Sequence, residues 1–129
     1  MTNVMDIPAP APETVAAARR HLTERYAAGV DRLLWETGQR PMPDLAAITD
    51  VLAADGQAGP VDIGCALVLV QAIRLGLDHL EHDLFEAASG AGVTTKAVAA
   101  VLDLTDAAAA EARHRWLAKR RALPPVTAG

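Results

Sequence analysis

Aromatic side chains are nearly missing from this chain of 129 residues: Tyr26, Trp35, Phe85 and Trp116 are the full set. β-Branched residues occur only in short scattered groups, so no run suits a strand. Cys65 is the single cysteine, which excludes an intramolecular disulfide; in the apolar run Ile63–Val70 it reads as a buried, inert thiol. Positive charge is also scarce. Twelve Lys and Arg against sixteen Asp and Glu leave a formal charge of −4, which excludes attachment to nucleic acid by bulk electrostatics. Glycine-rich phosphate loops are missing, and His21, His79, His82 and His114 have no serine or cysteine partner at a motif-like spacing. The chain is therefore not expected to be an enzyme or to need a cofactor. No basic-then-apolar signal opens the sequence, and the longest apolar run stops at Gln71. A cytoplasmic protein without a membrane span is the expectation.

What is abundant is alanine, at 28 residues. Alanine costs least in a helix and lets helices approach closely, so the composition predicts an all-α fold. Residues 1–11 read as a flexible leader, with Pro8 and Pro10 favouring extended chain. Pro12 then suits a first helical turn. Val15, Ala18, Leu22, Tyr26, Val30, Leu33 and Leu34 recur at helical steps, which predicts one helix of about 25 residues ending near Gly38. Asp44 is placed to cap a shorter helix reaching about Ala54. Asp55–Pro60 is the clearest break, so residues 12–59 form an N-terminal helical arm and 60–123 a second domain. In that domain Ile63, Ala66, Val70, Ile73, Leu77, Leu80, Leu84 and Ala87 alternate steps of three and four, predicting one long helix with an apolar seam. The seam serves either a central core helix, the favoured role, or a dimer helix; both are compatible. Residues 124–129, beginning with Pro124-Pro125, read as a flexible tail.

Beyond Ser89-Gly90-Ala91-Gly92, two short helices follow with helix-turn-helix spacing. Thr94 or Thr95 caps the first, which runs to Leu102; Asp103-Leu104-Thr105 forms the turn; the last helix runs from Asp106 to about Leu123. Ala99 supplies the small residue that close crossing demands, and Asp103 tolerates the left-handed turn position. Ala109, Ala112, Trp116 and Leu123 are the expected inner face of the last helix. The stretch LDHLEHDLFEAASGAGVTTKAVAAVLDLT with its Arg-His-Arg-Trp sequel resembles small actinobacterial helix-turn-helix proteins, some of them transcriptional regulators of a small heat-shock protein. Their fold at this end is similar to the promoter-reading domain of sigma factors. The likeness covers Leu77–Trp116, about one third of the chain. Where that family carries a turn glycine and an Arg-Gln pair, this chain has Asp103, Asp106 and Ala107. Arg-to-guanine and Gln-to-adenine readout is therefore missing.

Phosphate contact remains. Arg113, Arg115, Lys119, Arg120 and Arg121 cluster within nine residues, and Thr94, Thr95, Lys96 and Thr105 lie near the helix starts. Such residues hold a phosphate backbone without reading sequence. A cation-rich helix C-terminus is also favourable on purely structural grounds. Leu22, Tyr26, Val30, Leu34 and Trp35 form a candidate dimer or partner surface on the first helix. His79, His82, Asp83 and Glu86 share a helical face, but a solvated face with local pairs explains them better than a metal. The expected function is a dimeric regulator that binds double-stranded DNA mainly through its backbone. The alternative is an adaptor or antirepressor of the same fold that binds a protein of the transcription machinery instead.

Overall fold

The computed structural model describes residues 9–123, so the flexible leader up to residue 8 and the tail 124–129 lie outside the described residues. Six helices and no strand occur among the described residues: α1 Pro12–Tyr26, α2 Gly29–Gly38, α3 Asp44–Ala53, α4 Pro60–Gly90, α5 Thr95–Val101 and α6 Ala107–Arg121. The all-α expectation and the long central helix hold. The chain forms two compact units, divided between Arg74 and Leu75 in the middle of α4. The break at Asp55–Pro60 is a turn, with Asp55 at φ 46° and Gly56 at φ 87°. It is not a domain boundary, because the first half of α4 supplies the core of the N-terminal unit.

That core joins Val15, Ala18 and Leu22 of α1, Ala47 and Val51 of α3, and Ala66, Leu69 and Ala72 of α4. A Leu or Val buried in this way contributes about 1.5–3 kcal/mol. Around it runs a polar layer. Arg19 holds Asp44 through two hydrogen bonds of 2.9 Å, so Asp44 serves α1 rather than capping α3, whose N-cap is Pro43. Buried Thr23 accepts a hydrogen bond from the Met42 amide at 3.0 Å. Asp62, buried in the first turn of α4, accepts from Tyr26 at 2.7 Å and pairs with His21 at 2.7 Å and Arg25 at 2.6 Å. Burial alone would raise the Asp62 pKa; hydrogen bonds from His21 and Tyr26 and the charge of Arg25 outweigh it, and the net shift is downward. Burial, together with the Asp62 charge, raises the Cys65 thiol, consistent with an inert cysteine.

The single first helix of the sequence reading is two helices. Ala27 and Ala28 are extended and Gly29 has φ +58°. Arg32 then turns back on the end of α1, donating to the carbonyls of Ala27 at 3.0 Å and Glu24 at 2.8 Å. A helix ending here satisfies its last carbonyls with a guanidinium, which apolar periodicity does not reveal.

The seam of α4 also differs from the sequence reading. Asp62, Ala66, Leu69, Ala72, Leu75 and Phe85 are the buried positions, whereas Ile63, Leu77, Leu80 and Leu84 are exposed. Between residues 61 and 77 the helix is apolar nearly all round, so two interleaved stripes compete. The stripe that wins carries Ala66, Leu69 and Ala72, which share one core with residues of α1 and α3. By length and composition α4 is also apolar enough to cross a membrane, with mean hydropathy 1.6 over its most apolar window and 28% of that window buried. The run that Gln71 appeared to end continues through Ala72, Ile73 and Leu75.

The C-terminal unit is the helix-turn-helix with the second half of α4. Its small core comprises Phe85, Ala99, Ala110 and Leu117, with Val98, Leu104 and Trp116 packed against it. Helix α4 ends as expected: the Val93 amide reaches back to the Ala88 carbonyl at 2.9 Å across Gly92, whose φ is +78°.

Candidate functional site: the helix-turn-helix and its apolar edge

Local chemistry positions α5 and α6 as the sequence implies. Thr94 Oγ1 accepts from the Ala97 amide at 3.1 Å, capping α5, and Asp106 Oδ1 accepts from the Ala109 amide at 2.9 Å, capping α6. Between them Asp103 takes φ 56°, the left-handed turn position, and Ala99 is buried where the helices cross. The rotation of α6 is the unforeseen part. Ala110 and Leu117, one heptad apart, face the core, while Ala109 and Ala112 are half-buried and Leu123 is exposed. Trp116 is only partly buried, with the Arg120 guanidinium 5.5 Å over its ring.

That rotation redirects the basic cluster. Arg113 donates to both carboxylate oxygens of Glu81, the Nη2–Oε1 bond measuring 2.8 Å. Arg120 is 4% exposed and donates from Nε to Asp78 at 2.9 Å, while Arg121 pairs with Asp83 at 3.1 Å. The acidic segment Asp78–Glu86 thus pairs in register with the basic end of α6. Hydrogen bonding to Glu81 raises the Arg113 pKa, and the Arg121 and His82 hydrogen bonds lower that of Asp83. Three of the six cations foreseen as phosphate contacts are therefore ion-paired within the chain, Arg120 buried and the Arg113 and Arg121 side chains 41% and 43% exposed. Arg115 and Lys119 remain exposed on α6 and Lys96 on α5, without an ion pair among the described residues. Thr94 and Thr105 are exposed and Thr95 half-buried. The open face at the start of α6 presents Ala108 and Glu111, which offer bases no strong donor.

The candidate interface on the first helices is likewise divided. Leu22 is fully buried in the core and so is closed to a partner, while Tyr26 is half-buried with its hydroxyl on Asp62. Val30 on α2 is exposed; Leu34 and Trp35 are half-buried. A stronger apolar surface lies in the C-terminal unit. Leu77, Leu80 and Leu84 are 58%, 61% and 69% exposed and follow one another at three- and four-residue steps. Of the three, Leu84 lines an open groove of about 240 Å³ between α4 and α5, together with Phe85, Ala88, Val98, Val101 and Leu102. Val101 is 84% exposed. The seam periodicity contained this signal; only the assignment of the stripe to the core was misplaced. Comparisons with protein-family models, curated proteins and solved structures found no match for the chain.

Proposed function

We propose that this chain is a self-associating helix-turn-helix module that acts through protein contact rather than base reading, its exposed α4–α5 face receiving a second copy of the same chain. One observation carries the reading: Leu77, Leu80 and Leu84 stand exposed at helical steps on α4, Leu84 opening onto an apolar groove, in the unit where Arg113, Arg120 and Arg121 are ion-paired within the chain. Steps of three and four along one helix are the spacing by which like helices interlock across a two-fold axis. Contiguous exposed apolar patches on monomers mark contact surfaces, and Leu84 joins exposed Val101 and Leu102 around the groove, with Leu77 and Leu80 further along the same helix. Asp62, held by three partners in the first turn of α4, favours an aqueous compartment over a bilayer for this helix. No catalytic role enters this reading.

Backbone contact with double-stranded DNA is the second reading. It rests on Arg115 and Lys119, exposed and one turn apart on α6, with Lys96 on α5. Sedimentation equilibrium over a concentration series, with duplex titrations at several salt concentrations, separates the two. The interaction reading expects a concentration-dependent dimer, lost in Leu80→Glu, and duplex binding too weak to give a salt slope. A monomer at all concentrations, with duplex affinity falling linearly in log salt and weakened by Arg115→Glu, would establish the DNA reading instead.

A further inference from the structure

We propose that His82, Glu86 and His114 bind one divalent transition-metal ion of the zinc class, clamping α6 to α4. This site is independent of the function proposed above. His82 and Glu86 are four residues apart on α4 and so share a face. His114 reaches them from α6, where its ring stacks on Phe85 with centroids 5.0 Å apart and a 24° tilt. One ligand atom from each residue falls within 4.8 Å of the other two. Glu86 Oε1 lies 2.7 Å from His114 Nε2 and 3.6 Å from His82 Nε2. Zinc bonds of about 2.0–2.2 Å set neighbouring tetrahedral ligands roughly 3.3 Å apart. The three atoms close on an ion by side-chain rotation of about an ångström, and the metal takes the place of the proton shared by His114 and Glu86.

The surroundings orient the ligands for this role. His82 Nδ1 faces Asp83 Oδ1 at 3.4 Å, and Asp83 is held in turn by Arg121 at 3.1 Å. A carboxylate on Nδ1 keeps the proton there and presents the Nε2 lone pair, the arrangement that supports histidine ligands around zinc. Two imidazoles and a carboxylate suit zinc, cobalt or nickel and not the all-oxygen preference of calcium or magnesium. Glu86 is exposed, which leaves the fourth position to solvent. His79 is not part of the set, since its Nε2 lies 3.2 Å from the Arg120 carbonyl oxygen.

The test uses the full chain, freed of metal by chelation and titrated with zinc sulfate by calorimetry, with cobalt as a spectroscopic probe. One zinc per chain is expected, with a rise in melting temperature and the visible absorption of tetrahedral cobalt. Glu86→Gln and His114→Gln should each weaken zinc at least about tenfold, and Asp83→Asn by a smaller factor in the direction expected of an outer-shell partner. Circular dichroism of the metal-free variants should match the parent, and His79→Gln should leave zinc affinity unchanged. No zinc binding at 100-fold excess over protein, or parental affinity in both Glu86→Gln and His114→Gln, would overturn the site. Loss of binding in His79→Gln as large as in His114→Gln would overturn the ligand assignment. A monomeric protein that still binds zinc would refute self-association alone.

Discussion

Asp62 shows how much one buried carboxylate organises. Its partners come from two places on α1, so removing its charge loosens the α1–α4 pairing directly. Asp62→Asn is expected to destabilise the protein by about 1 kcal/mol, since Asp62 is buried but its partners His21 and Arg25 are part-exposed and can turn to water. Urea denaturation at neutral pH measures it. The pH dependence follows from the sign of the shift. The folded pKa of Asp62 lies below the ordinary carboxylate value. Its contribution is thus complete above that value and is lost as pH falls through the depressed one. The gap between parent and variant should close in acid; a gap that stays constant down to full protonation would show that Asp62 is not the group titrating. Asp103 offers a second residue-scale prediction. With φ at 56°, Asp103→Gly should be neutral or stabilising by up to about 1 kcal/mol, whereas Asp103→Val should lower the melting temperature.

Among the elements, α4 and α6 hold the readings that tertiary packing reversed. Leu69 is fully buried and Leu80 is 61% exposed. Leu69→Asp should abolish the fold, because an unpaired buried carboxylate costs several kcal/mol, while Leu80→Asp should remain fully helical by circular dichroism. Both unfolding, or both folding, would contradict the observed face of α4. On α6, Arg120 is a buried structural cation stacked on Trp116 and bound to Asp78. Arg120→Ala should cost about 3 kcal/mol by leaving Asp78 without its charge partner. Arg115→Ala, at the surface, should stay within about 0.5 kcal/mol of the parent. Parallel thermal melts distinguish them, and a stable Arg120→Ala would return that residue to the phosphate-facing set.

For the whole molecule, the division of α4 between two units has a measurable consequence. Each unit has its own core and its own polar layer, Arg19, Asp44 and Asp62 in one and Arg113, Glu81, Arg120 and Asp78 in the other. Hydrogen exchange should therefore report two protection levels along α4, changing near Arg74 and Leu75. Destabilising substitutions at Asp62 should lower protection chiefly before that point and those at Arg120 chiefly after it. Uniform loss along all of α4 in both variants would mean that the units unfold as one.

Much of this was legible from residues alone because it depends on local chemistry. Alanine content set the helical class, the glycines at 90 and 92 ended α4, and Thr94 and Asp103 marked the cap and the turn of the helix-turn-helix, with Asp106 read only as the start of the helix it caps. Each of these acts on backbone groups within four residues, so spacing reports it faithfully. The break at Ala27–Ala28 escaped because Arg32 supplies its capping from the next helix. What only tertiary structure decided was rotation. The phase of α4 chose Leu69 over Leu80 for the core, and the phase of α6 buried Arg120, set Arg113 and Arg121 against carboxylates of α4 and brought His114 to His82 and Glu86. A helix that is apolar or charged on several faces carries no single inward direction in its periodicity. Its partners select one, by the fit of small residues and the pairing of opposite charges across 28 to 42 residues of chain.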